Sequence, residues 1–598
     1  MKHVSAFHAV LAVTLLLSLS LPGTGHAGGG PGVRTYSNPL DVKGSEAVVD
    51  CSDPAMLRSR TPGETAWYAY CTSAPHNDAE NNGTGTYPLH PMTILRSSDL
   101  THWILVGDAF PAKPDWVAPD GVLWAPDPVA WPDGTYRLYY AASRTRAGGS
   151  AIGVATSRSP AGPWVDSGTP VVEPQGELVV LDPSIIRDDQ GVYRLYYGGF
   201  KKGVAVRTLF ADGLHSDPKT EVQVAAPLGP TGFGGPEVVR RGGYYYLFAV
   251  SSPCCAGPLT GNAVFVGRST SPIGPFLDRA GRTLNAVWAG GTPVVANNGG
   301  RWVGPGMGSV FTDAAGRDWL LYHAIDRHDP YFHGQAQISK RHLILDRLDW
   351  VGGWPTVRSG QGPSEGPQPA PALKPGAPES ARVVAPVVDR AGKAVPGLSD
   401  EFAASRLGPQ WHWRRPPAPD GFSLTTGALQ LTTVSGDLMD GTAPALLEAA
   451  PSGDYMVETR LHFSLPDGTG PNGVEAGLVV YGDDRNFVRL TVGALGTVRA
   501  AVFLKASTED INRGASPLGY GLAGPAAPTT WLRIVKRAVG GEERYTAYTS
   551  TDGRTWERGG TWSHHLGPGA GIGLVALSGA GYPAQFDFLR VFKLAHQG

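Results

Sequence analysis

A degenerate repeat in the first half of the chain constrains its fold more than any other feature. Each copy has a turn carrying Asp-Pro or Gly-Pro, an apolar strand, a tight turn and an aromatic strand. The copies read Asp53-Pro-Ala-Met-Leu before Ala66-Trp-Tyr-Ala-Tyr, and Trp124-Ala-Pro-Asp-Pro-Val-Ala before Thr135-Tyr-Arg-Leu-Tyr-Tyr. They continue with Leu181-Asp-Pro-Ser-Ile-Ile before Val192-Tyr-Arg-Leu-Tyr-Tyr, and Gly235-Pro-Glu-Val-Val before Tyr244-Tyr-Tyr-Leu-Phe. The last is Gly304-Pro-Gly-Met-Gly-Ser-Val-Phe before Asp318-Trp-Leu-Leu-Tyr-His. With Asp53, Asp127, Asp182, Glu237 and Pro305 as markers, the copies lie roughly 55 to 75 residues apart, the size of one four-stranded sheet. Radial repetition of such sheets gives a β-propeller, here with five blades.

In a propeller the innermost strand of each blade opens at the central channel. Asp53, Asp127, Asp182 and Glu237 hold matching places in their copies on this reading, so four carboxylates are expected to face one cavity. Asp-Pro is also an ordinary turn dipeptide, as Asp217-Pro218 and Asp329-Pro330 illustrate. The set therefore carries the signal, not any one member.

A chain of 598 residues exceeds one ordinary domain. Residues 36–357 are assigned to the propeller, the Pro-rich stretch 358–397 to a linker, and 398–598 to a second all-β unit. In that unit alternating strands such as Tyr455-Met-Val-Glu-Thr-Arg-Leu-His-Phe point to a β-sandwich. Residues 1–27 read as an export signal: Lys2, an apolar run, then Gly25-His26-Ala27 as a cleavage site. The expected product is a secreted, soluble monomer. Four cysteines suit an oxidising compartment. Cys51 and Cys71 flank a hairpin and are candidates to pair, while Cys254 and Cys255 form a vicinal bridge or stay free. A net charge of −2 gives no electrostatic case for nucleic acid or an anionic membrane. A neutral polymer such as a polysaccharide fits better.

The quoted motifs resemble glycoside hydrolase family 43, and within it the arabinanases and α-L-arabinofuranosidases. Trp124-Ala-Pro-Asp-Pro-Val is similar to the second-blade signature and Leu181-Asp-Pro-Ser-Ile-Ile-Arg-Asp-Asp-Gln-Gly to the third. Pro253-Cys-Cys-Ala-Gly is similar to the stretch after the fourth. Tyr322-His-Ala-Ile-Asp and Leu348-Asp-Trp-Val-Gly-Gly-Trp-Pro resemble the closing segment. The resemblance implies hydrolysis of α-L-arabinosyl linkages in arabinan or arabinoxylan with inversion. Asp53 would be general base, Glu237 general acid, and Asp182 the group that orients the acid and adjusts its pKa. Trp124, Asp127, Cys254, Cys255 and Arg341 would line the sugar site. His323 would lie near the propeller axis beside a calcium ion held largely by water. The C-terminal unit resembles a concanavalin-like sandwich, in which Trp411 and Trp413 are candidates to stack on sugar.

The chain departs from the family pattern in two places. Its fourth-blade motif is Gly-Gly-Pro-Glu, where the family more often has Glu-Ala-Pro or Glu-Gly-Pro. No acidic residue lies between Glu221 and Glu237, so Glu237 is the local candidate. Gly306-Met-Gly-Ser stands where arabinanases usually carry a histidine. Asp50 competes with Asp53 but lacks the proline. Residues 74–90 read as an added loop at the funnel rim. Two other readings stay open, a β-xylosidase or related exo-enzyme of the same fold and a non-catalytic carbohydrate-binding propeller.

Overall fold

A computed structural model describes residues 34–595, apart from 44–46, 84, 200, 227–232, 252–253, 378–388, 426, 467, 469–471 and 512–517. The export signal expected over 1–27 lies outside the described residues. Five sheets, antiparallel except for one added parallel strand in the first, follow one another in chain order, as the repeat requires. Their innermost strands are Ala55–Arg58, Leu123–Ala130, Leu181–Arg187, Phe233–Arg241 and Gly308–Thr312. Each touches the innermost strands of the flanking blades, and the fifth touches the first. The aromatic second strands, such as Tyr136–Ala142 and Asp318–Asp326, are buried at every position. A sheet packed on both faces demands continuous apolar runs of this kind.

The ring is closed by the residues before the first repeat. Asp41–Lys43 pairs with the outer strand His102–Asp108 of the first blade. Just upstream, the Leu40 N–H donates to the Leu343 carbonyl of the fifth blade at 2.9 Å. Asn38 Nδ2 donates to the Leu345 carbonyl, and the Leu345 N–H donates back to Asn38 Oδ1, both at 3.0 Å. A disulfide joins Cys51 to Cys71 inside the first blade, and a vicinal one joins Cys254 to Cys255.

The register of the repeat differs from the expected one. In every blade the residue before a proline has positive φ: Asp53 (50°), Ala125 (46°), Asp182 (55°), Gly235 (51°) and Gly304 (61°). A non-glycine residue rarely adopts this conformation. In blades two to four a bulge in the pairing falls at the same turn. Asp53 and Asp182 thus match Ala125, Gly235 and Gly304. Asp127 and Glu237 stand two positions later and match Ala55, Ser184 and Gly306. The four acids therefore form two sets at different depths, because the spacing to the proline, not the presence of an acid, fixes where a side chain points.

The linker expected over 358–397 is also corrected. Thr35–Tyr36 pairs with Gln368–Pro369, Asn298 Nδ2 donates to the carbonyls of Gln361 and Pro363, and Ala372 N–H donates to Asp313. The first half of the Pro-rich stretch is thus bound to the propeller. Ala391–Ala394 already pairs with the long last strand Pro583–Leu594 of the second unit. That unit is a sandwich of an eight- and a seven-stranded sheet around Leu429, Val457, Leu478, Leu490, Leu532 and Phe586. Trp411 belongs to this core and Trp413 packs against it, so neither is a free sugar platform.

The sandwich is fused to the fourth blade. Val498, Ala500, Val502 and Leu522 share one apolar cluster with Phe265, Phe276, Leu284 and Ala289. Beside it, a Cβ on Gly261 would lie 2.0 Å from the Tyr520 carbonyl oxygen. Overpacking a tight site costs about 1–3 kcal/mol. Gly261→Ala is therefore expected to lower the thermal midpoint by several degrees. Gly569→Ala, with nothing within 4 Å of the added methyl, should leave it unchanged; calorimetry on both variants checks this.

Candidate active site

The mouth of the channel holds a cavity of ≈ 320 Å³, within the range of small-ligand sites. Asp53, Asp182, His323 and Arg341 supply its polar groups, with Asn262 beside them. Trp124, Leu181, Val250, Met307 and the Cys254–Cys255 bridge supply apolar wall. Of the residues expected to form the site, Asp53, Asp182, Trp124, Cys254, Cys255, His323 and Arg341 are brought together.

Glu237 and Asp127 are not among them, which corrects the expectation of a single cavity. Glu237 borders a much smaller space on the far side of Gly235, Val250 and Met307. The Val310 N–H donates to its Oε1 at 3.2 Å, and Ser184 Oγ donates to its Oε2 at 3.4 Å. Asp127 Oδ2 accepts from the Ile185 N–H at 2.6 Å. The physical cause is the register described above: residues after the proline face inward below the mouth. Asp50, the competitor of Asp53, is buried and accepts from Ser52 Oγ (2.6 Å) and the Arg341 N–H (2.9 Å). It braces the turn and does not line the cavity.

Asp53 is held by three blades. Arg341 Nη1 lies 3.3 Å from its Oδ2. Thr72 Oγ1 donates to the same oxygen at 2.7 Å and accepts from the Ala125 N–H at 2.8 Å. The Asp53 N–H donates to His323 Nδ1 at 3.0 Å. Burial alone would raise this carboxyl, but Arg341 and the Thr72 hydrogen bond outweigh it and keep Asp53 ionised. Asp182 behaves oppositely. Burial, then the charge of Asp53, push it up to about 7, although the Gly235 N–H donates to its Oδ2 at 3.1 Å. Two carboxyls in one cavity are thus pushed in opposite directions, Asp53 toward the charged form and Asp182 toward titration near neutral pH, the arrangement that acid–base work needs.

The cavity wall has a gap beside Asp182. Gly234 stands one position before the positive-φ residue, in the register of Trp124 and Leu181. A Cβ there would lie 3.5 Å from Asp182 Oδ2. Set on Pro236, the Glu-Ala-Pro pattern places its carboxylate at position 234, where this chain has no side chain at all.

His323 does not fit as a calcium ligand. Its Nδ1 accepts a hydrogen bond, so its proton sits on Nε2, which is buried without a partner. Burial lowers its pKa to about 4, so the ring is neutral. The neighbouring buried oxygen without a partner is Asn262 Oδ1. Calcium takes six to eight oxygens, so an ion here would draw nearly all its ligands from water. Thr72 and Asn262 carry no signal of a site in their neighbourhoods, and only the blade register finds them; Gly234 is legible as a departure in the fourth-blade motif, but its place in the cavity wall is not.

With this geometry in hand, comparison with known proteins is decisive for the first half of the chain. The profile of glycosyl hydrolases family 43 matches residues 48–355. The chain belongs to glycosyl hydrolase family 43. Membership makes it a glycoside hydrolase. The profile of the beta xylosidase C-terminal concanavalin A-like domain matches residues 399–591, in agreement with the sandwich. This hydrolase is 35% identical over 334 residues to an extracellular exo-α-(1→5)-L-arabinofuranosidase of Cellvibrio japonicus, covering 52% of this chain and 86% of that one. It is 29% identical over 311 residues to an extracellular endo-α-(1→5)-L-arabinanase of Bacillus subtilis, covering 51% and 86%. The solved α-L-arabinanase of Cellvibrio cellulosa aligns at 32% identity over 52% of this chain and 95% of that one, with a TM-score of 0.42.

The enclosed carboxyl of Glu237 generates a prediction of its own. Burial raises it from 4.5 to about 7, and its charge raises Asp127 further. The folded state therefore keeps a proton that the unfolded state loses above about 4.5, so stability falls as pH rises from there to about 7. Glu237→Gln removes that loss. The variant should match the parent near pH 4.5 and exceed it in thermal midpoint at pH 8, measured by scanning calorimetry across the window.

Proposed function

We propose that this hydrolase is exported and cleaves α-L-arabinosyl linkages of arabinan by a single displacement with inversion. Asp53 acts as the base that activates water, and Asp182 as the proton donor. The observation that carries this reading is the unequal surroundings of two carboxyls in one cavity, Asp53 paired with Arg341 and Thr72 and Asp182 buried beside it without a cation bonded to it, so that its pKa rises to about 7. An inverting hydrolase needs one carboxylate to take a proton from water and one carboxylic acid to protonate the leaving oxygen. Support for the sugar comes from the relatives, whose names state arabinofuranosidase or arabinanase activity. The apolar wall of Trp124 and the Cys254–Cys255 bridge offers a face for a pentose ring, and Arg341 orients the base. Arabinoxylan side chains are a second candidate source of the same linkage. A calcium ion near the axis would be held by water and Asn262, with no direct bond to His323 and no part in the proton transfers.

Gly234 favours a second reading of the range of substrates. In this reading the leaving oxygen lies over the gap at position 234 and no acid protonates it. Turnover would then be fastest on leaving groups that need no protonation, such as activated aryl glycosides, since general-acid help contributes about 10²–10⁴-fold where it is required.

The test is product analysis on debranched arabinan, branched arabinan, arabinoxylan, xylobiose and an aryl α-L-arabinofuranoside, with the product anomer read by NMR. Arabinose or arabino-oligosaccharides of inverted configuration are expected. Asp53→Asn should lower kcat/KM at least about 100-fold on every active substrate. Asp182→Asn should do so on the polysaccharides and far less on the aryl glycoside. Glu237→Gln should stay within about tenfold of the parent. Release of xylose alone, or loss of activity in Glu237→Gln equal to that in Asp53→Asn, would overturn the assignment.

A further inference from the structure

The rim segment between the second and third strands of the first blade carries a cluster that the hydrolytic site does not use. His76, Glu80 and His90 each offer a ligand atom, and those atoms all lie within 4.8 Å of one another. The two imidazoles stack face to face, 3.5 Å between centroids and 6° from parallel. The outer nitrogen of each ring is already engaged. His76 Nε2 lies 3.0 Å from Thr93 Oγ1, and His90 Nδ1 lies 3.2 Å from Asp108 Oδ2. The inner nitrogens, His76 Nδ1 and His90 Nε2, face Glu80 Oε1 at 3.7 and 2.8 Å. Glu80 is oriented in turn, its Oε2 accepting from the His76 N–H at 2.7 Å.

We propose that this cluster binds one divalent first-row transition-metal ion, of which zinc is the type, through His76 Nδ1, His90 Nε2 and Glu80 Oε1. Water completes a four-coordinate set. Zinc takes imidazole nitrogen at about 2.0–2.1 Å and carboxylate oxygen at about 2.0–2.2 Å, so on binding the three atoms draw together and the two rings tilt out of their parallel stack to aim both in-plane lone pairs at the ion. Asp108 and Thr93 fix the far nitrogens, the outer support that metal-bound histidines regularly have. Two nitrogens and one oxygen suit zinc, copper or nickel. They do not suit calcium, which prefers oxygen.

The place in the fold gives the ion a task. The segment starts just after Thr72, which holds Asp53. It crosses from the first blade to a hairpin of the fifth: Asp78 pairs with Lys340 at 2.7 Å, and Asn81 Nδ2 and the Tyr87 hydroxyl both donate to the His333 carbonyl at 2.9 Å. A metal at its root pins the rim across the seam where the ring closes.

The experiment uses the full chain stripped with chelator. Titration with Zn²⁺ by calorimetry should show one tight equivalent and a raised thermal midpoint. Co²⁺ should give the visible absorption of a four-coordinate nitrogen–oxygen site. Both signals should vanish in His90→Gln, whose side chain is part-exposed, and affinity should fall about 10–100-fold in Asp108→Asn. No uptake by the parent, equal uptake by His90→Gln, or a rise in midpoint with Ca²⁺ that His90→Gln abolishes would overturn the proposal.

Discussion

The closure of the ring between the first and fifth blades is the contact on which the site depends. Asn38, Leu40 and Cys51 bond to Leu345, Leu343 and Arg341 along one strand of the fifth blade. That pairing sets Asp53, two residues beyond Cys51, against Arg341 and His323, which the chain supplies nearly three hundred residues later. An ionised carboxylate in an enclosed cavity is costly without a partner. Arg341 is the partner, and it is in reach only when the ring is shut.

The second constraint is the turn that opens each innermost strand. A positive-φ residue followed by proline occurs in all five blades, and conformations of this sort persist where surrounding structure enforces them. It sends the residue before the proline to the mouth of the channel and the one after it below. Asp53 and Asp182 take the first position, Asp127 and Glu237 the second. Both sets are pushed toward protonation by enclosure; Arg341 acts on both acids at the mouth, but it is Asp53 that it pairs with directly. The result is one ionised carboxyl and one that titrates near neutral pH at the mouth, and a shielded pair beneath it that bears on stability.

The sandwich bears on the same cavity from outside. Its strand Leu518–Gly524 packs on the short helical turn Gly257–Leu259, just beyond the Cys254–Cys255 bridge in the wall. Glycines on both sides, Gly261 and Gly519, allow backbone to meet backbone there: a Cβ on Gly519 would lie 2.5 Å from the Leu259 carbonyl oxygen. The second domain thus fixes a piece of the rim that loop chemistry alone would leave loosely held.

The sequence by itself determined the five-bladed fold and the sandwich behind it, and its repeat pointed to Asp53 and Asp182 at the channel; the family resemblance added Trp124, Cys254, Cys255 and Arg341, which line the same cavity. Repeats of turn, apolar strand and aromatic strand are local, and a propeller places equivalent turns around one axis whatever fills its core. Only the tertiary structure decided the depth of each acid. Asp127 and Glu237 differ from Asp53 and Asp182 by two residues relative to a proline, a shift invisible until the backbone conformation at that proline is known. It also decided that the glycine at 234 leaves a gap beside Asp182, that Thr72 holds the base, and that half of the Pro-rich stretch is bound to the propeller. These follow from long-range pairing, in which a residue's partner is set by where the ring closes and not by what stands next to it in the chain.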